Sequence, residues 1–198
     1  MGVKKAAQIS IEQYLEHEYT TPLKHEYEKG AILTMTGGSI NHGILCGNVY
    51  SELRAGLTLA GQEGCRALGS EIRIHIEKAD AIVYPNAMVI CGGIETSADD
   101  QEAVTNPKLV VEVLSDSTES YDRGDKFHKY RQLDTLEEYV LVAQDKAVVE
   151  TYYRKETNVW EIARFVGKAQ QLQLKSIGLT LALEALYTDV QFPSPKSE

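Results

Sequence analysis

The sequence predicts an α/β fold: a mixed central β-sheet flanked by helices, with additional antiparallel strands, in a single domain spanning residues 1–198. Three observations carry that prediction. Leu109 to Leu114 is apolar except at Glu112, and Tyr139 to Ala143 is apolar without a break, so both read as covered strands. Between them Ser117 to Leu133 reads as a helix, with Tyr121, Phe127, Tyr130 and Leu133 as its inner positions. A strand, a crossover helix of that length and a second strand make a βαβ unit, hence a parallel pair within a mixed sheet.

The remaining elements follow in order. Ser10 with Gln13 resembles a capping box and predicts a short helix over Ile11–Glu18. Lys24–Tyr27 and Ala31–Met35 flank Glu28-Lys29-Gly30 as a hairpin, after which Gly37-Gly38 breaks the chain. Ile44, Leu45, Val49, Leu53 and Leu57 recur at helical spacing from Ser39 and predict the longest helix, ending before Gly61. Ile72, Ile74 and Ile76 alternate with Arg73, His75 and Glu77, the period of a half-buried strand. A polar turn at Lys78-Ala79-Asp80 leads into one strand over Ala81–Ile90, and loop chemistry dominates from Cys91 to Pro107. Val148–Tyr153 and Val159–Val166 read as outer antiparallel strands, followed by a short helix around Leu183–Tyr187. The ordered core is expected over residues 8–190, with a flexible tail over 191–198.

Composition narrows the class. With 43% hydrophobic and 25% charged residues, the 198-residue chain matches an ordinary globular domain with enough length for a core. Only 15 Gly and 5 Pro exclude a collagen-like or low-complexity chain. No apolar run reaches the roughly 18 residues of a membrane span, and the start Met1-Gly2-Val3-Lys4-Lys5-Ala6 is too polar for a signal peptide. A cytoplasmic protein with no membrane partner is therefore expected. Cys46, Cys65 and Cys91 form no Cys-x-x-Cys pair and read as buried free thiols in a reducing compartment. The net charge of −9 argues against wholesale coating of nucleic acid, but only the local field at a cleft decides capture.

Glu112 is the informative residue. An ionised carboxylate in a covered strand costs several kcal/mol unless a cation or strong donors meet it. Either the side chain reaches solvent or an ion pair, or it is a metal-binding or catalytic carboxylate beside the strand's carboxyl end, where α/β sheets place ligands. The next segment supplies positive charge: Arg123, Lys126, His128, Lys129 and Arg131 fall within nine residues. Such a cluster is either a solvated face or, beside Glu112, the lining for a phosphate-bearing substrate, with Arg123 and Lys129 as phosphate-binding candidates. Arg123 and Lys126, three apart, would share a helical face. Asp99-Asp100 with Glu102 lacks the glycine of a calcium loop, and Gly37-Gly38-Ser39 lacks the lysine of a phosphate loop.

Tyr84-Pro85-Asn86, Val111-Glu112-Val113-Leu114-Ser115, Tyr121-Asp122-Arg123-Gly124-Asp125-Lys126-Phe127 and Tyr139-Val140-Leu141-Val142, in this order and spacing, resemble the Uma2 family, also called DUF820. The resemblance runs from about Ser10 to Leu186 and includes His25-Glu26-Tyr27 and Asn41-His42. It implies a restriction-endonuclease-like fold and membership of the PD-(D/E)xK nuclease superfamily. By that resemblance Glu112 and Asn86 hold Mg²⁺ or Mn²⁺, and Lys126, displaced from the strand to the helix, positions water. Glu26 supplies an additional acid, and His42 touches the cleft or caps its helix. The implied partner is DNA, and a homodimer is expected because nuclease-fold proteins often pair to cut two strands.

One position departs from the family pattern: Asn86 stands where the motif carries Asp. The departure implies weaker metal affinity and impaired catalysis, or a catalytically inactive fold kept as a nucleic-acid or protein binding module. Glu71 is a candidate compensating acid if the strand register brings it beside Asn86.

Overall fold

The structure is a computed structural model and describes residues 8–35 and 37–193. Its elements are α1 (Ile11–Thr20), β1 (His25–Glu28), β2 (Ala31–Thr34), α2 (Ile40–Leu59), β3 (Cys65–Gly69) and β4 (Arg73–Ile76). After a 3₁₀ turn at Glu77–Ala79 come β5 (Ala81–Val83), β6 (Ala87–Cys91), β7 (Ala103–Val104) and β8 (Leu109–Leu114). A short α3 (Glu119–Tyr121), a π turn (Asp122–Lys126) and α4 (Phe127–Tyr130) then form one interrupted helix. The chain ends with β9 (Glu138–Ala143), β10 (Val148–Glu156), β11 (Val159–Val166), β12 (Gln171–Leu174), β13 (Leu179–Ala182) and α5 (Leu183–Leu186).

A six-stranded mixed sheet, ordered β11-β10-β9-β8-β6-β3, is the centre of the molecule. Its one parallel pair is β8–β9, with Glu112 opposite Leu141, as the crossover pattern requires. A second sheet, β2-β1-β5-β4-β7, joins it through the short connection Tyr84-Pro85-Asn86 between β5 and β6. One face of the central sheet is covered by α2, α5 and the β12–β13 hairpin through Leu53, Leu57, Leu179 and Leu181. The other face packs against the second sheet and against Tyr130, Leu133 and Leu136. Burial of these aliphatic side chains, at about 25 cal/mol per Å² of apolar surface, is the main force holding the layers together.

Local signals account for several boundaries. Ser10 and Gln13 form the reciprocal capping box, which starts α1 where it was expected. Ser39 caps α2 by accepting from the His42 N–H, and its hydroxyl donates to Gln144 just beyond β9, which fixes the start of α2 over the end of the parallel strands.

Five expectations need correction. The segment 81–90 is two strands, because Pro85 supplies no N–H and the chain changes sheets there. β4 is buried on both faces, with the Arg73 and His75 side chains received by internal partners. The segment 117–133 is an interrupted helix rather than a regular one. Its wider π turn puts Lys126 inside while Arg123 pairs outward with Glu119 and Glu150, so the two do not share a face. β7 interrupts the loop expected from Cys91 to Pro107, and β3, β12 and β13 are strands where no element was expected.

The cysteines are the fifth correction. Cys65 and Cys91 lie opposite each other in the β3–β6 ladder and form a disulfide, so among the described residues only Cys46 is a free thiol. Of the expected tail, Gln191 exchanges hydrogen bonds with Asn41, and Phe192 packs at a tilt against Tyr187. Residues 194–198 and the polar start 1–7 lie outside the described residues. No helix among those described is long and apolar enough to cross a membrane.

Candidate active site

Four elements converge where the two sheets meet. β8 delivers Glu112, β1 delivers Glu26, the π turn delivers Asp122 and Lys126, and the β5–β6 connection delivers Tyr84 and Asn86. The Lys126 ammonium lies 3.0 Å from Glu112 Oε1 and 3.1 Å from Glu26 Oε1, and donates to the Tyr84 carbonyl at 3.0 Å. Asp122 Oδ1 is 4.0 Å away on the same helix. Lys126, Glu26, Glu112 and Asp122 are all buried, none more than 5% exposed.

Each carboxylate has its own set of donors. Glu26 Oε1 also accepts from the Tyr84 N–H, and its Oε2 accepts from the Tyr121 hydroxyl at 3.0 Å. Glu112 Oε1 accepts from the Tyr130 hydroxyl at 2.9 Å. Glu112 Oε2 has only a long bond, 3.3 Å, from the Asn86 N–H. It is the least engaged carboxylate oxygen of Glu26 and Glu112, and Glu112 lines a cavity of about 300 Å³ with His42, Asn86, Asp116, Asp122 and Lys126. A second cavity of about 290 Å³ continues on the far side of Lys126, past Glu26 and Tyr121. A larger groove of about 550 Å³ beside Cys65 is lined by exposed Arg54, Glu63 and Arg66, with no buried ionisable group, so the chemistry belongs to the smaller cavity.

The electrostatics follow from the count of charges. One ammonium faces three buried carboxylates, Glu26, Glu112 and Asp122. Desolvation pushes the Glu112 carboxyl up to about 7, opposed by Lys126 and reinforced by Asp122 and Glu26. Burial also raises Asp122. Burial alone would lower Lys126, but Glu112, Glu26 and Asp122 together hold it well above the usual lysine range. One cation among several acids is over-compensated while the acids are under-compensated, which is why Lys126, Glu112 and Asp122 all shift upward.

Asn86 sits beside Glu112, yet its amide oxygen is already used. It accepts from the Val113 N–H at 2.7 Å, extending the bonding between β6 and β8 past the last paired residues. The other arm of that amide is an NH₂ donor, which cannot ligate a cation.

The other sequence candidates fall elsewhere. Glu71 is exposed and pairs with Lys24 at 2.7 Å, away from Asn86. Arg123 is taken by Glu119 and Glu150. Lys129 is buried, 2.6 Å from Glu28 and 2.9 Å from the Tyr121 hydroxyl. Neither basic side chain is free to meet a phosphate. His42 lies at the cavity wall, lowered from the usual histidine range by burial, with Cys46 Sγ 3.6 Å from its Nδ1.

Sequence reasoning missed Asp122, Tyr84, Tyr121 and Tyr130. The i, i+4 spacing of Asp122 and Lys126 was a usable signal. The tyrosines reach the carboxylates only through tertiary packing.

A divalent cation is the group that this fold class implies. Mg²⁺ is commonly held by one or two protein carboxylates, with water and substrate phosphate oxygens completing its shell. Among the described residues no three His, Cys, Asp or Glu side chains group as a metal cage. Glu112 and Asp122 nevertheless fit the weaker arrangement, as hard oxygen donors at a cavity with excess negative charge.

A mixed α/β sheet with buried acids and a lysine at its junction agrees with the restriction-endonuclease-like fold that the sequence motifs imply. The family model described as "Uma2: Putative restriction endonuclease" matches residues 11–184, and the chain belongs to that family. Two similar proteins come from Synechocystis sp. (strain ATCC 27184 / PCC 6803 / Kazusa). "Uncharacterized protein slr1290" is 34% identical over 184 residues, covering 93% of this chain and 94% of its own. "Uncharacterized protein sll1609" is 30% identical over 165 residues, covering 83% and 92%. The fold matches a crystal structure described as a putative nuclease belonging to DUF820, from Anabaena variabilis ATCC 29413. Its TM-score is 0.70 at 17% identity, over 91% of this chain and 98% of that one.

Proposed function

We propose that this protein is a restriction-endonuclease-like nuclease that hydrolyses DNA phosphodiester bonds with Mg²⁺ or Mn²⁺, at a site weakened by Asn86. The observation that carries the reading is the charge count: three buried carboxylates share one ammonium beside an open cavity. A divalent cation would neutralise that excess, and when bound it supplies polarisation of the phosphodiester and acidification of water. Glu112 and Asp122 would hold it, with Glu112 Oε2 as the available oxygen.

The chain's own residues then have separable tasks. Lys126 keeps Glu112 and Glu26 apart from each other's charge and holds their carboxylates in place. Tyr130 fixes the Glu112 carboxylate from below, and Tyr121 does the same for Glu26. The cavity lining also carries Asp116 and no unpaired arginine or lysine, so a DNA backbone would approach only with cations in place.

A second reading has its own support. The Asn86 oxygen is committed to Val113, and Lys126 directs bonds to Glu112, Glu26 and the Tyr84 carbonyl, as in a catalytically inactive binding module. Titration with Mn²⁺ followed by plasmid cleavage separates the two. Sub-millimolar to millimolar uptake with nicking supports the nuclease. No uptake in wild type, with uptake in Asn86→Asp, supports the inactive module. Uptake unaffected by Glu112→Ala would overturn the assignment of the site.

A further inference from the structure

β11 is the outermost strand of the central sheet and pairs only with β10. Edge strands in folded proteins are usually short or heavily charged, because a free edge recruits another strand. β11 is neither: it runs eight residues, Val159-Trp-Glu-Ile-Ala-Arg-Phe-Val166, with one acid and one base. Of the nine large apolar side chains exposed among the described residues, three lie on it: Val159, Ile162 and Val166. One face of the strand carries Trp160, Ile162, Arg164 and Val166; Trp160 packs on Phe127, and Ile162 is 62% exposed at its centre.

We infer that β11 is a self-association edge, on which a second copy of this chain adds antiparallel to make one continuous sheet. Geometry restricts the register. A twofold axis normal to the sheet keeps every side chain on its own face, so residues opposite each other must have the same parity. Four central registers then compete. Centring on Glu161 sets two carboxylates face to face, and centring on Arg164 sets two guanidinium groups face to face. Centring on Ala163 puts Arg164 against Ile162 and Glu161 against Phe165.

Centring on Ile162 gives Ile162 against Ile162, Trp160 against Arg164 and Val159 against Phe165. Ile162, Trp160, Val159 and Phe165 each gain an apolar or cation–π partner, Val166 falls opposite Asn158 just beyond the strand, and no like charges meet head on. Trp160 already carries one guanidinium within its own chain, that of Arg154, at 4.7 Å from the ring. The remaining charge, Glu161, would sit opposite Ala163, and it is already neutralised by Lys155 and Lys175. The occupant that matches this edge in charge and shape is thus the strand itself.

The test is the oligomeric state of the full chain, which does not depend on whether the protein cleaves DNA. Sedimentation equilibrium across micromolar concentrations should give twice the monomer mass. Ile162→Lys, at an exposed position, should keep the thermal transition and return the mass to that of a monomer. Leu59→Lys, at a still more exposed apolar position on α2, should leave the dimer intact. In a Cys46→Ser background, Ile162→Cys should cross-link to a covalent dimer under mild oxidation, whereas Glu161→Cys should not. A wild-type protein that stays monomeric, a dimer indifferent to Ile162→Lys, or equal cross-linking from both cysteine variants would overturn the inference.

Discussion

Replacing Glu112 by Gln tests the electrostatics of the site directly. The folded-state pKa of about 7 lies above the ordinary glutamate value of 4.5, so between those pH values the folded protein holds a proton on Glu112 that the unfolded chain has released. Stability from this group is therefore complete below about pH 4.5 and declines as pH rises through about 7. A displacement of that size corresponds to about 3 kcal/mol, a large fraction of the 5–15 kcal/mol that holds a typical domain. The Gln variant has no such titration and retains an oxygen to accept from Lys126 and Tyr130. Urea unfolding of both proteins at a series of pH values isolates the effect, because the other titrating groups largely cancel in the difference. Wild type should lose about 3 kcal/mol relative to Glu112→Gln between pH 4 and pH 8, and the variant should be at least as stable at pH 8. If wild type instead gains on the variant as pH rises, the Lys126 ion pair outweighs desolvation. Glu112 would then be a structural partner and not an acid held ready for a cation.

Three further outcomes follow from the same contacts. Lys126→Met leaves Glu26 and Glu112 buried without their shared cation, and should destabilise by about 3–5 kcal/mol at pH 8, with partial recovery in acid, read by thermal melts. Mn²⁺ at about ten times its dissociation constant should stabilise wild type by about 1.4 kcal/mol in the same melts, and should leave Glu112→Gln unchanged. Reduction of the Cys65–Cys91 disulfide, which closes a loop of sequence separation 26, should cost about 3 kcal/mol, read by urea unfolding with and without a phosphine reductant.

The legible parts of the fold were those with local signals. The capping box at Ser10, the helical spacing from Leu45 to Leu57 and the two apolar strands around the crossover each specify their element without reference to the rest. The β12–β13 hairpin was missed although Gln171-Leu-Gln-Leu174 and Leu179-Thr-Leu-Ala182 both alternate; each run is only four residues long, and packing over α2 gives its apolar face a partner. Glu112 could be picked out because a charge in an apolar strand conflicts with burial. Lys126 was legible as a basic residue but not as a buried one. The π turn that rotates it inward leaves no mark on the apolar periodicity. The pairing of Cys65 with Cys91 depended on β3, which has no alternating pattern of its own and pairs through its register with β6.

Asn86 is where sequence and geometry together make the sharpest statement. An amide and a carboxylate have the same shape, so Asn86→Asp can keep one oxygen on the Val113 N–H at the distance Asn86 now uses, 2.7 Å. The second oxygen then replaces an NH₂ donor next to Glu112, turning a group that cannot ligate a cation into one that can. Without metal, four carboxylates would share the single Lys126 ammonium, so the apo protein should lose about 1 kcal/mol and one of the acids should titrate high. Mn²⁺ should more than reverse that loss, since a ligand bound only by the folded state stabilises it. Cleavage of plasmid or single-stranded DNA should rise at least tenfold over wild type, about 1.4 kcal/mol of transition-state stabilisation, and Glu112→Ala in the same background should abolish it. Metal-independent inactivity in wild type, Asn86→Asp and the double variant alike would favour the binding module. Wild-type cleavage that Asn86→Asp does not increase would show that Asp122, four residues before Lys126 and already at the cavity wall, suffices as the second carboxylate.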